Sequence, residues 1–169
     1  MLIVLGGLPG TGKTTVAKAL ASKLGAAYLR VDEIEHALMR WFGEAQDIGA
    51  AGYAASYAIA SSNLALGKSV VADCVNPVAA SRAGWRSVAR ASIDGKILEV
   101  EILCSDITEH QRRVETRTSD IEGFKQPSWS AVQAHEYQPW IEPRLVIDTA
   151  KLTAAEAVEL IERHAAPAS

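Results

Sequence analysis

Residues 2–15 leave this chain few folds to choose from. Leu2-Ile3-Val4-Leu5 is an unbroken apolar run, the pattern of a strand buried on both faces. It leads directly into Gly6-Gly7-Leu8-Pro9-Gly10-Thr11-Gly12-Lys13-Thr14-Thr15. Gly7, Gly12, Lys13 and Thr14 complete the pattern G-x-x-x-x-G-K-[ST] of a phosphate-binding loop. Such a loop wraps its backbone N–H groups round a polyphosphate, and glycine lets the backbone come close. The contacts expected from this stretch are Gly10, Thr11, Gly12, Lys13, Thr14 and Thr15. Lys13 reaches the β- and γ-phosphates, and the Thr14 hydroxyl can ligate Mg²⁺. A helix should follow with its positive end towards the phosphates. Val16, Leu20 and Leu24 supply its apolar spacing and Gly25 its stop.

The rest of the composition is permissive. At 169 residues, with 49% hydrophobic and 22% charged residues, the chain suits one globular domain spanning 1–169. A net charge of −3 does not favour nucleic acid or an anionic membrane as partner. No apolar stretch is long enough to span a bilayer. The first apolar run is short for a signal peptide and has no basic residues before it, so a cytoplasmic location is expected. Cys74 and Cys104 match no disulfide framework or zinc spacing and are expected as buried, unbridged thiols.

Further along, residues 26–31, 69–73, 96–104 and 144–148 read as strands, each followed by a helical pattern. This alternation predicts an α/β fold with a parallel sheet. Asp32 follows the second strand, near the N-cap of a helix containing Ile34, Leu38 and Phe42. That places it at the sheet end where α/β proteins bind ligands. A helix over 51–66 carries Tyr53 and Tyr57, expected in the core. Asp73 ends the third strand, as an acid attending Mg²⁺ would. Arg82, Arg86 and Arg90 form a stripe on the next helix. Arg86 and Arg90 are expected in solvent, and Arg82 within reach of a site. Asp106 and Glu109 form a capping-box pattern before a helix to Arg117, with Arg113 and Arg117 on one face. The polar stretch 105–130 reads as a mobile lid. Trp129, Tyr137 and Trp140 fit a substrate wall or lid packing equally well. Thr153 and Glu156 form a second capping box. A loop is expected over 43–50 and fraying over 165–169.

Together these pieces resemble the small P-loop kinases, the group of adenylate-, gluconate- and shikimate-type kinases, chloramphenicol phosphotransferase and polynucleotide 5′-kinase domains. The resemblance rests on Gly7–Thr14, on Asp32, on Val71-Ala72-Asp73 with Asn76, Arg82 and Trp85, and on Arg113-x-x-x-Arg117. It implies a three-layer P-loop NTPase fold, a five-stranded parallel sheet in the order 2-3-1-4-5, helices on both faces and a small helical lid. It further implies ATP and Mg²⁺ as cofactors, with Lys13 and Thr14 at phosphates and metal. Asp32 becomes the base for the acceptor hydroxyl, and Asp73 an acid at the metal or substrate side. Arg113 and Arg117 become lid arginines, and Thr149 falls where the adenine passes. One departure stands out. Polynucleotide kinases carry an arginine three residues after the acid, whereas this chain has Glu35.

The function expected is transfer of the γ-phosphate of ATP to a hydroxyl of a small molecule. Two alternatives remain open at this point. A polynucleotide 5′-kinase could use Trp85 with Arg82 and Arg86 as a basic stacking surface. A regulatory ATPase or NTP switch would release only free phosphate, though no N-K-x-D guanine-reading motif occurs in the chain. The assembly expected is a monomer or homodimer.

Overall fold

β1 (Leu2–Gly6) is the middle strand of the sheet, the position that its apolar run demands. Side chains alternate across a strand. Leu2 and Val4 pack on one side with Val70, Ala72, Trp85 and Val88, and Ile3 and Leu5 on the other with Val16, Leu20, Ile147 and Ile161. The computed structural model describes residues 1–43 and 47–166.

The other strands are β2 (Ala27–Arg30), β3 (Val70–Asp73), β4 (Ile97–Leu103) and β5 (Leu145–Asp148). Their order is β2-β3-β1-β4-β5, and every neighbouring pair is parallel. The expected sheet is therefore the one present. α1 (Lys13–Leu24) and α7 (Ala154–Ala165) cover one face, and α3 (Ala51–Ala65) and α4 (Ala79–Ala91) the other. α2 (Val31–Phe42) packs against α3, while α5 (Ile107–Thr116) and the short α6 (Trp129–Gln133) lie between β4 and β5. None of the described helices is long and apolar enough to cross a membrane.

Local chemistry sets most boundaries. α1 stops at Gly25, whose φ of 59° forms a left-handed cap. Thr153 and Glu156 complete their capping box at α7. Asp106 caps α5 by accepting from Glu109 N, but the reciprocal half of that box is not made. The Glu109 carboxylate accepts from Arg112 and Arg113 instead, and these guanidinium groups hold it down to about 2. Asp32 does not cap α2. The N-cap is Arg30, and Asp32 is the second helical residue. Arg117 does not share a helix face with Arg113, because it leaves the helix as an extended C-cap. α6 had no sequence signal, being five residues long. Of the expected loop 43–50 and tail 165–169, residues 44–46 and 167–169 lie outside the described residues; Ala165 is still helical.

Arg90 of the α4 stripe is exposed as expected, but Arg82 and Arg86 are structural. Arg82 is fully buried and reaches no cleft. Its guanidinium donates to the carbonyls of Asn76, Pro77, Gln138 and Pro139 and lies 4.2 Å from the Trp140 ring centroid. Arg86 is not merely solvated either. It pairs with Glu99 at 2.7 Å and Glu142 at 2.6 Å, which explains how Glu99 stays buried on β4. Tyr53 and Tyr57 pack at the edge of the core as expected, and Tyr57 meets Trp85 edge-on at 4.7 Å. Trp140 donates to Tyr137 Oη, whereas Trp129 packs edge-on against His110. These three aromatics therefore serve packing. Cys74 and Cys104 are free and buried, and directly follow β3 and β4, which flank β1 from opposite sides.

Candidate active site

The loop between β1 and α1 is shaped by what it must avoid. Gly7 has a φ of 144°, and a Cβ there would lie 2.1 Å from the Ile102 carbonyl oxygen. At Gly10, with a φ of 85°, a Cβ would lie 2.4 Å from Val114. Side chains at either position would push the loop off the sheet and off α5. The loop's carbonyls are held from outside. Thr11 Oγ1 donates to Leu8 O at 2.9 Å, Thr149 Oγ1 donates to Thr11 O at 2.8 Å, and His110 Nε2 lies 2.8 Å from Pro9 O. With these acceptors engaged, the concave side is left to donors.

A cleft of about 610 Å³ opens over this loop. Lys13, Thr14 and Thr15 form its floor with Gly10 and Gly12, Arg30, Asp32 and Glu35 form the wall from β2 and α2, and Arg113 and Arg117 come from the end of α5. Segment 118–127 supplies Phe124, Lys125 and Gln126. A neighbouring cleft of about 460 Å³ is lined by Thr15, Val16, Arg113, Thr149, Ala150 and Lys151. Arg113 belongs to both, and is fixed by hydrogen bonds of 2.9 Å to Thr149 Oγ1 and 3.1 Å to Thr149 O. The sequence-derived residues Lys13, Thr14, Asp32, Arg113 and Arg117 thus meet in one cleft. Asp73 is not in its lining. It is buried and accepts from Tyr28 Oη at 3.0 Å, with Arg30 Nε 3.9 Å away.

Electrostatics couple these groups. Burial pulls the Lys13 ammonium below its usual range, opposed by Asp73 and Asp32. Burial raises the Asp32 carboxyl, opposed by Lys13, while Asp73 adds to the rise. Burial, with Asp32 adding to it, lifts Glu35 to about 7. Burial also lowers Arg117, whose Nε has no hydrogen-bond partner among the described residues. A desolvated ammonium and an unpartnered guanidinium over a glycine cradle suit a polyphosphate. The described residues contain no group of three or more His, Cys, Asp or Glu able to cage a metal. A Mg²⁺ ion here would rest on the Thr14 hydroxyl, phosphate oxygens and water. That fits the few protein ligands this ion takes beside phosphates.

Sequence reasoning missed Arg30, Asp120 and the way Asp120 anchors the segment after α5. Asp120 pairs with Lys18 of α1 and, at 2.8 Å, with Arg30. His36 Nε2 lies 2.9 Å from Glu122 O and its ring meets Phe124 edge-on. Segment 118–127 therefore rests on α1, the end of β2 and α2. Arg30 could have been found as a charged residue at the C-terminal end of a strand. Asp120 gave no signal, since its partners lie 102 and 90 positions away. The stacking surface considered for Trp85 with Arg82 does not exist, because both side chains are fully buried.

Residues 2–135 match the family model described as AAA domain. The chain belongs to this AAA domain family. Among solved structures, a protein of Chloroflexus aurantiacus J-10-fl described provisionally as a kinase superposes with a TM-score of 0.72 at 19% identity, over 97% of this chain and 94% of that one. A gluconokinase from Sinorhizobium meliloti 1021 gives 0.63 at 22% identity, over 93% and 86%. Chaetomium thermophilum Kti12 in complex with ADP-AlF3 gives 0.66 at 19% identity, over 99% and 100%. At these identities the likeness is one of fold, and the fold is that of the small P-loop kinases. No curated protein matches the chain.

Proposed function

We propose that this AAA domain is an ATP-dependent kinase that moves the γ-phosphate of ATP to a hydroxyl of a small molecule. One observation carries the reading: the phosphate loop, Asp32 and Arg117 line the same cleft. The chemistry asks for positioning, charge neutralisation and a base beside the acceptor. Lys13 meets the β- and γ-phosphates, and Thr14 holds Mg²⁺, which neutralises phosphate charge when bound. Asp73 acts from below through Lys13 and Arg30. The acceptor oxygen forms its bond to the γ-phosphorus as the bond from that phosphorus to the bridging oxygen breaks, and ADP leaves. Asp32 takes the hydroxyl proton, and its raised affinity for a proton suits that task. Arg117, with a free Nε, bears on the charge of the transferring group. Gly12, Thr15 and Arg113 line both clefts and Thr149 the second, which suits an adenosine lying across them.

Segment 118–127, the outer part of the expected lid over 105–130, closes the cleft. Exclusion of water is what separates transfer from hydrolysis. An NTP switch has less support, since such a device needs no base at an acceptor position. The polynucleotide alternative has lost the stacking surface that recommended it.

Asp32→Asn tests the reading. Asparagine keeps the shape but cannot accept the proton. Transfer should fall by roughly two to four orders of magnitude while calorimetry shows ATP·Mg²⁺ binding unchanged. Transfer within about threefold of wild type, a barrier change below about 0.7 kcal/mol, would remove Asp32 from the chemistry.

A further inference from the structure

Asp32 and Glu35 stand three residues apart on α2, one helical turn, and both line the cleft. Their Cβ atoms at this spacing are about 5–6 Å apart. If Asp32 takes the reacting hydroxyl, Glu35 faces the next part of the acceptor. Glu35 makes no hydrogen bond or ion pair with any described residue, although burial and Asp32 act on it strongly. On the wall from segment 118–127, Gln126 Oε1 is buried without a partner among the described residues. Asp32 and Glu35 therefore present hydrogen-bond acceptors side by side, Glu35 in full once it is ionised, and Gln126 adds another in the lining. Arg30 and Arg117 both act on Asp32 here, and Lys125 also lines the cleft. Arg30 is committed to Asp120 at 2.8 Å, with Asp73 at 3.9 Å, and Lys125 is exposed to solvent. Arg117 is taken up by the transferring phosphate in the reading above, which leaves Glu35 as the unpaired charge beside Asp32.

We propose that Glu35 is a specificity-determining contact, and that the acceptor is an uncharged or cationic alcohol with a second donor, hydroxyl or ammonium, about 5 Å from the hydroxyl phosphorylated. This rests on the kinase reading above. Phe124, also in the lining, gives such a molecule an apolar surface for its carbon skeleton. Gly52 of α3 fixes the position of Glu35. A Cβ there would lie 2.1 Å from Glu35 Cγ and 2.9 Å from its Oε1, so the carboxylate lies directly on bare backbone.

The test uses matched alcohols in three sets: neutral sugars and polyols, amino sugars and amino alcohols, and sugar acids and sugar phosphates. Phosphorylated product is measured with wild type, Glu35→Gln and Gly52→Ala. Wild type should prefer the first two sets. At pH 8, where Glu35 is ionised, Glu35→Gln should raise KM for the best acceptor about tenfold or more, the worth of a charge-assisted hydrogen bond, and leave KM for ATP within about twofold of wild type. Gly52→Ala keeps the charge but moves it, and should raise the same KM. Preference for the anionic set, or an unchanged acceptor KM in both variants, overturns the assignment and leaves the kinase reading standing. Free phosphate as the only product across all sets overturns both.

Discussion

Glu35 shows how one side chain can be strained by its surroundings for use. A carboxyl raised to about 7 from its ordinary value binds its proton more tightly in the folded chain than in the unfolded one. Between roughly pH 4.5 and 7 the folded state therefore holds more protons, and stability falls as pH rises through that window. The groups acting on Glu35 are Asp32 on its own helix and the desolvating wall that includes Gly52 on α3. Glu35→Gln removes the ionisation. Thermal melts should show the variant more stable than wild type at pH 8 by on the order of 1 kcal/mol, after allowance for the solvent that still reaches the carboxyl, with no difference at pH 4. A constant difference across that range would mean that Glu35 titrates normally. At this scale the sequence was legible where a motif fixes the geometry, as for Lys13 and Thr14. It was misleading for Arg82. An arginine near a strand end looks like a ligand contact, and nothing in a linear pattern shows that four carbonyls from 76–77 and 138–139 converge on it.

Among the elements, the segment between α5 and α6 lines the cleft with little regular structure of its own. Its hold on the body passes through Asp120, which pairs with Lys18 and Arg30. The Lys18 pair is exposed and contributes only about 0.2–1 kcal/mol to stability, whereas the Arg30 pair neutralises a buried guanidinium, and in the proposed reading the two hold the segment over the cleft. Asp120→Ala should lower stability by about 1 kcal/mol or more, because it takes a partner from the buried Arg30. It should raise the ratio of free phosphate to transferred phosphate by roughly three- to tenfold, as water gains access. Measuring both products in one reaction checks this, and an unchanged ratio would show that the segment does not exclude water. The segment's polar, arginine-flanked character was visible in the sequence. Its anchoring was not, because ion pairs across 90 or more positions leave no local periodicity. Helices behaved in the same way: α1 and α7 announced their ends through Gly25 and Thr153, whereas the five residues of α6 are too few for a period.

Over the whole molecule, the strand alternation and phosphate loop specify the sheet, and long-range polar contacts tie its return segment in place. Arg82 joins α4 to the stretch before β5, stacked on Trp140. Arg82→Ala leaves several carbonyls without a donor, at about 1 kcal/mol or more each, so urea unfolding should lose about 3 kcal/mol with an unchanged m-value. A loss under about 1 kcal/mol would make the contact incidental. The central claim, that this fold transfers phosphate to an alcohol, is tested most directly by following the label from γ-labelled ATP with wild-type protein and the matched alcohols. The account predicts label in a phosphate ester of the acceptor, in step with ADP formation. Label recovered wholly as inorganic phosphate, whatever alcohol is present, would contradict it.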